Sequence, residues 1–310
     1  MTELAGELVG AIEAGGTKFV CAIGRRSGAE LLVRQQFATG DDPVRLMSEV
    51  VRWFGEQEER LGRLAAIGVA SFGPLDLRAG SGTWGCITTT PKSGWQWADL
   101  AGPLRRGFPG VRLALDTDVN GAALGEQRWG AARGLEDFVY VTVGTGIGGG
   151  GMSGGRLLHG LMHPEMGHML LPGVPGDRFP GVCPYHGRCW EGLCSGPAIA
   201  KRAGSAVEEL SADSEVWSVT IRCMAQALMN LTCVLSPQRI VLGGSVRKAG
   251  LLGEEQFFRR LRVDLGELLA GYIGVLRLSD GGLDEYLVPP QLGDDAGVCG
   301  ALALGQDVLM

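Results

Sequence analysis

Basic runs are missing from this 310-residue chain: 28 lysines and arginines face 34 aspartates and glutamates, for a net charge of −6. A chain of that sign offers no electrostatic footprint for nucleic acid or an anionic membrane surface. Its apolar runs read as too short or too interrupted to span a bilayer, and the opening "MTELAGELVGAIEAGG" carries acids where a signal peptide carries bases. A cytosolic protein with a small-molecule partner is the expectation. Cysteine shows no disulfide framework: of eight, Cys21, Cys86, Cys223, Cys233 and Cys299 stand singly in apolar stretches, as buried free thiols do. Only Cys183, Cys189 and Cys194 cluster. Two phosphate signatures are absent as well, since no GxxxxGK[ST] occurs and no GxGxxG opens a helix with an acid some 20 residues on. P-loop and Rossmann readings therefore lack support.

What the chain has in excess is glycine, 52 residues, well above the average of about 7%. With 45% hydrophobic and 20% charged residues, the composition is globular, and the length suits two units of ordinary size or one large α/β unit. Leu8 to Ile12 and Phe19 to Ile23 read as strands joined by a Gly15-Gly16-Thr17 turn. Val44, Met47, Val50, Val51 and Phe54 recur at three- and four-residue spacing, which predicts a helix from Pro43 to Leu61. A strand follows at 65–73, then a loop-rich connection at 74–100. Further on come a strand to Leu115, a helix from near Asn120, a β-branched strand opening into glycines at 144–151, a long helix from Glu215 to Ser236, the strand "RIVLGGSV" and a C-terminal helix at 297–310. Alternation of this kind predicts an α/β fold with ligands at the loops that leave strand ends.

Three apolar strands run into glycine: Gly15-Gly16-Thr17-Lys18, Gly144-Thr145-Gly146 and Gly243-Gly244. Glycine lets backbone N–H groups approach an anionic oxygen, and a threonine hydroxyl adds a donor. One such turn is an ordinary connection; three together suggest a nucleotide clasp. Transfer of a phosphoryl group to a hydroxyl also needs a carboxylate base, and Asp116 and Asp118 are the candidates at a strand end, where "DTDVN" equally suits a helix cap.

Taken in order, "GAIEAGGTKFVCAIG", "ASFGPLD", "TTTPKSGWQ", "TDVNGAALGE", "VTVGTGIGGG", "HPEMGH", "CPYHGRCWEGLCSGPAI" and "VPPQLGDDAG" resemble the bacterial fructokinases of the ROK family, within the sugar kinase, Hsp70 and actin superfamily. The resemblance implies a two-lobed actin-like ATPase (ribonuclease H-like) fold with the active-site cleft between the lobes. The expected division is 1–118 with the C-terminal helix 297–310 as the small lobe, and 119–296 as the large one. It implies ATP and Mg²⁺, with Thr17 and Lys18 near the terminal phosphates, Gly144 to Gly146 cradling phosphate and Gly243-Gly244 bordering adenosine. Glu13 stands where relatives carry aspartate, within reach of hydrated Mg²⁺. Asp118 becomes the base, and Thr117, Glu165, His168 and Glu191 face the sugar. The implied reaction is 6-phosphorylation of D-fructose, with other hexoses or a sugar-sensing regulator as alternatives. An acidic chain whose first phosphate loop begins by residue 13 leaves no room for a DNA-binding domain ahead of it. A homodimer is implied too.

Residues 163–192 hold three of the four histidines with Cys183 and Cys189. Cys183-x2-His186-x2-Cys189, with His168 fifteen residues upstream, is a plausible tetrahedral Cys₂His₂ set for structural Zn²⁺. His163 and Cys194 are spare candidates, and a loop cysteine pair beside an exposed histidine is the plain alternative. Such a zinc would hold Glu165 and Glu191 toward the sugar, with His168 contested between metal and sugar.

Overall fold

The computed structural model describes residues 7–276 and 281–310, so the acidic start of the chain, residues 1–6, lies outside the described residues. In chain order the elements are β1 (Leu8–Ala14), β2 (Lys18–Arg25), β3 (Leu31–Ala38), α1 (Pro43–Leu61), β4 (Leu64–Ser71), α2 (Ala101–Gly107), β5 (Arg112–Thr117) and α3 (Asp118–Trp129). There follow β6 (Phe138–Val143), β7 (Ile147–Ser153), β8 (Arg156–Leu157), α4 (Trp190–Cys194), α5 (Gly196–Ala203), α6 (Glu215–Leu235), β9 (Arg239–Gly243), α7 (Glu254–Leu269), α8 (Gly282–Tyr286), β10 (Leu287–Val288) and α9 (Ala296–Asp307). By packing, the chain divides into one unit of residues up to 134 with 157–164 and 291–310, and a second of 135–156 with 165–290.

The first unit is built on a sheet of order β3-β2-β1-β4-β5, in which β1 runs antiparallel to β2 and parallel to β4, and β4 parallel to β5. Side chains of β1 alternate between two cores, as the period of a strand requires. Leu8, Ile12 and Ala14 join Phe19, Ile23, Ile67, Val50, Phe54 and Trp95 on one face. Val9 and Ala11 join Val20, Ala66, Ala70, Leu124 and Leu302 on the other. Helix α1 covers the first face: Asp42 caps it by accepting from Arg45 N, Pro43 opens it, and Leu46, Met47, Val50 and Phe54 are its buried stripe. The small residues of the other face admit α9 and α3 at close range. A Cβ on Gly300 of α9 would lie 1.7 Å from the Gly121 carbonyl oxygen of α3. That packing sets 119–134 in the first unit, whereas the sequence expectation divides the chain after 118.

The second unit's sheet runs β10-β9-β6-β7-β8, with β6 parallel to β9 and antiparallel to β7. Against it stand α6, capped by Ser214, and α7, joined through the Trp217 and Phe257 rings at 6.4 Å. By length and composition α6 is apolar enough to cross a membrane, contrary to the expectation from its sequence. Its Trp217, Ile221, Met224, Leu228 and Leu231 are nevertheless buried within the protein, which accounts for that apolar character.

Candidate active site

In the first unit, residues 15–17 form the tight turn between β1 and β2. Gly15 N donates to the Lys18 carbonyl at 3.0 Å, Thr39 N donates to the Thr17 carbonyl at 3.0 Å, and the Thr39 hydroxyl donates to the Gly15 carbonyl at 2.7 Å. The turn is thus braced from behind, while Gly16, Thr17 and Lys18 remain exposed. Donors fixed in this way need little reordering to meet an anion.

Strand β5 delivers Asp116, Thr117 and Asp118 to the start of α3. The Thr117 hydroxyl accepts from Asn120 N at 3.1 Å and caps the helix, so α3 begins two residues earlier than expected. Asp118 is half-buried, its Oδ1 accepting from Val119 N at 2.9 Å. Burial lifts its carboxyl to about 6, against the partial relief of that backbone bond. Glu13, near the end of β1, is raised to about 7, chiefly by burial and next by the charge of Asp118, with Lys18 and Arg34 opposing. Two carboxylates that resist ionising together favour a hydrated divalent cation, so these residues fit Mg²⁺.

The other aspartate has a different position. Asp116 is 4% exposed; its Oδ1 accepts from Thr117 N at 2.7 Å and Asn120 Nδ2 at 2.9 Å, and its Oδ2 lies 2.9 Å from His159 Nε2. That engaged carboxylate is held in the fold, which leaves Asp118 as the candidate base. No motif signals His159, and Asn120 is signalled only as part of the helix-start segment. Asp116 and His159 also line a pocket of about 440 Å³ with Leu75, Thr88, Leu115 and Met162. His163 is buried here, Nε2 accepting from Leu75 N at 3.0 Å, and burial lowers its pKa. It takes no part in the cysteine cluster.

In the second unit, parallel β6 and β9 end side by side and bring two glycine junctions together, at the carboxyl ends where α/β sheets bind ligands. Gly144 N donates to the Gly146 carbonyl at 2.9 Å, and Gly196 N at the head of α5 donates to the Gly144 carbonyl at 2.8 Å. Thr145 is exposed at the tip. Gly244 has φ +87°, and a Cβ there would lie 2.2 Å from the Val143 carbonyl oxygen, so only glycine fits. Ser245, which no motif marked, places its hydroxyl beside Gly144. Glu191 is brought to this hairpin rather than standing apart from it: its Oε2 accepts from Ile147 N at 2.9 Å.

The metal set assembles in the same unit. One donor atom each from His168, Cys183, His186 and Cys189 lies within 4.8 Å of all the others. His168 Nδ1 is 3.8 Å from Cys183 Sγ and 3.6 Å from Cys189 Sγ, and His186 Nδ1 is 3.8 Å from Cys183 Sγ. A tetrahedral zinc with bonds of about 2.0–2.3 Å sets sulfur and nitrogen about 3.5–3.6 Å apart, so the donor set fits the ion. Local turns make it: His186 N donates to Cys183 Sγ at 3.4 Å, Gly187 N to the Cys183 carbonyl at 3.0 Å, and Cys189 caps α4. Both sulfurs lie against Nδ1 of His168, which leaves Nε2 for another partner. Cys194 is excluded, buried with its thiol donating to the Thr220 carbonyl at 3.6 Å. Glu165 sits exposed just ahead of the His168 turn, its carbonyl accepting from His168 N at 3.0 Å.

The sequence profile of the ROK family matches residues 9–308. The chain is 40% identical over 302 residues to the fructokinase of Pediococcus pentosaceus, covering 97% of this chain and 99% of that one. It is 40% identical over 302 residues to the fructokinase of Zymomonas mobilis, covering 96% of each. Among solved structures, the ROK hexokinase of Thermus thermophilus superposes with a TM-score of 0.77 at 27% identity, over 97% of this chain and 99% of that one.

Proposed function

The chain belongs to the ROK family, with that family's two-sheet α/β, actin-like ATPase fold, and on that basis we propose an ATP-dependent fructokinase that phosphorylates the 6-hydroxyl of D-fructose. The observation that carries the reading is Asp118: a half-buried carboxylate at a helix start, raised to about 6, in a chain 40% identical to two fructokinases over nearly its whole length. A base poised just below neutral pH is ionised at work yet strong enough to take a hydroxyl proton.

In this reading Asp118 accepts the proton of the sugar hydroxyl as the oxygen attacks the γ-phosphorus of ATP. Gly15, Gly16, Thr17 and Lys18 supply donors to the terminal phosphates. Gly144, Thr145 and Gly146 cradle phosphate, and Gly243 and Gly244 border adenosine. Glu13 and Asp118 are the residues toward Mg²⁺, which when bound neutralises phosphate charge. Glu165, Glu191 and His168 through Nε2 hold sugar hydroxyls, and Thr117 keeps its hydroxyl proton for the same purpose. His168, Cys183, His186 and Cys189 hold a structural Zn²⁺, a closed four-ligand site with no bound water to activate. The enzyme works in the cytoplasm as a homodimer.

A coupled ADP-release assay with MgATP against fructose, mannose, glucose and N-acetylmannosamine tests this, with Asp118→Asn as the blank. Fructose should lead and the variant should be silent. Another leading sugar changes the name of the substrate; silence on all four from folded, zinc-loaded protein refutes the kinase reading.

A further inference from the structure

We propose that His159 is a positioning residue for the reaction, one that acts on Asp118 through the buried carboxylate of Asp116. The proposal rests on the reading of Asp118 as the base. Asp116 is the centre about which the β5–α3 turn is wound. Its Oδ1 gathers Thr117 N at 2.7 Å and Asn120 Nδ2 at 2.9 Å, the residues on either side of the Asp118–Val119 pair. Its Oδ2 is turned away from the turn and meets His159 Nε2 at 2.9 Å. Asn120 in turn ties its own backbone N–H to the Thr117 hydroxyl at 3.1 Å. Every one of these links but one is local in sequence. The exception is His159, which arrives on 157–164, the stretch by which the chain returns to this unit.

Asp116 is buried to 4% exposure, and the donor its Oδ2 meets is His159, so losing that donor costs a buried carboxylate a partner. Without the imidazole, the carboxylate loses the restraint on Oδ2 that sets its rotation, and any rotation disturbs the two bonds on Oδ1 that fix the turn. Asp118 rides on that turn. A displacement of the base by a fraction of an ångström to an ångström is what in-line transfer does not tolerate. The imidazole also meets the Leu157 carbonyl, and its pKa is raised, first by the hydrogen bond to Asp116. His163 is the other titratable group close to it, and opposes a second positive charge. The side chain is 42% exposed at the pocket of about 440 Å³ and so is open to solvent.

The experiment compares wild type, His159→Leu, His159→Gln and Asp118→Asn for kcat, for KM toward ATP and sugar, for the pH dependence of kcat, and for melting temperature. His159→Leu should lose about tenfold to a hundredfold in kcat with KM for ATP within about twofold, and its acidic limb should move away from the wild-type position. His159→Gln keeps an N–H donor without a charge and should retain turnover within about threefold of wild type. A merely structural role would lower melting temperature and leave kcat per folded molecule and the acidic limb alone; folded His159→Leu with that behaviour overturns the proposal. Should His159→Leu not fold, a folded His159→Gln without turnover overturns it instead. Turnover retained in Asp118→Asn removes the base reading and the proposal with it, and is distinguishable because it appears in that variant alone.

Discussion

Asp118→Asn should make this protein more stable while making it inactive. Lifting the Asp118 carboxyl from 3.8 to about 6 means that the folded chain holds it ionised against a cost on the order of 3 kcal/mol. The folded pKa is the higher one, so the cost is absent below about pH 4, grows as pH rises from 4 to 6 and is complete above that. Asparagine carries no charge and keeps an oxygen to accept the Val119 N–H. At pH 7.5 the variant should therefore gain up to about 3 kcal/mol, which is several degrees in melting temperature, and about half of that at pH 5. The relief extends to Glu13, whose carboxyl the charge of Asp118 helps to raise. Thermal melts at the two pH values, beside turnover measurements, make the assay. Turnover should fall by about a hundredfold to ten-thousandfold. A variant no more stable than wild type at pH 7.5, or equally stabilised at both pH values, would refute the argument that burial raises this carboxyl.

Metal analysis of purified protein should find about one zinc per chain, and Cys183→Ser or chelation should lower the melting temperature, because closing four ligands over 22 residues stabilises a loop with little core of its own; far less than one zinc per chain rejects the site. Gly300→Ala should destabilise by about 1–3 kcal/mol or more, read by denaturant melts, since the added Cβ meets the backbone oxygen of Gly121 at 1.7 Å and forces α3 from α9. An unchanged melt would show that the two helices are free to move apart.

Local periodicity carries much of the architecture. The apolar run from Leu8 to Ile12 and the helical spacing of Met47, Val50 and Phe54 are legible in the residue pattern itself and face the core, whereas Val44 of the same spacing lies 77% exposed at the start of α1 and Leu46 is buried instead. Where a side chain redirects the backbone, pattern falls short by a residue or two: Thr117 caps α3 and starts it at Asp118, not near Asn120. Strand β3 gives a weak signal because its centre, Arg34-Gln35-Gln36, is exposed at a sheet edge. The three-piece composition of the first unit is invisible to local pattern, since 157–164 is tied to it by bonds such as those from His163 to Leu75 and His159 to Asp116. The donor set at 168–189 is legible from spacing. The hydrogen bonds of Asp116, which separate its role from that of Asp118, are not.

Sequence spacing also treats the metal loop and the phosphate hairpin as separate motifs, and the bonds do not keep them apart. Cys189, one of the four proposed zinc ligands, caps α4 by accepting from Gly192 N, and that cap sets the orientation of the helix's first turn. Glu191 lies in that turn and grips the hairpin at Ile147 N. Ser195, which follows α4 directly, caps α5, whose Gly196 N–H then grips the same hairpin at Gly144. Two grips, one on each side of Thr145, therefore follow from a helix that starts at a proposed zinc ligand. A glycine-rich hairpin has few side chains with which to hold its own shape, so its order must come from outside it. A zinc held by the proposed four residues would then supply rigidity: it would fix Cys189, and through α4 the same fixity would reach both the Glu191 carboxylate and the backbone N–H groups at 144–147.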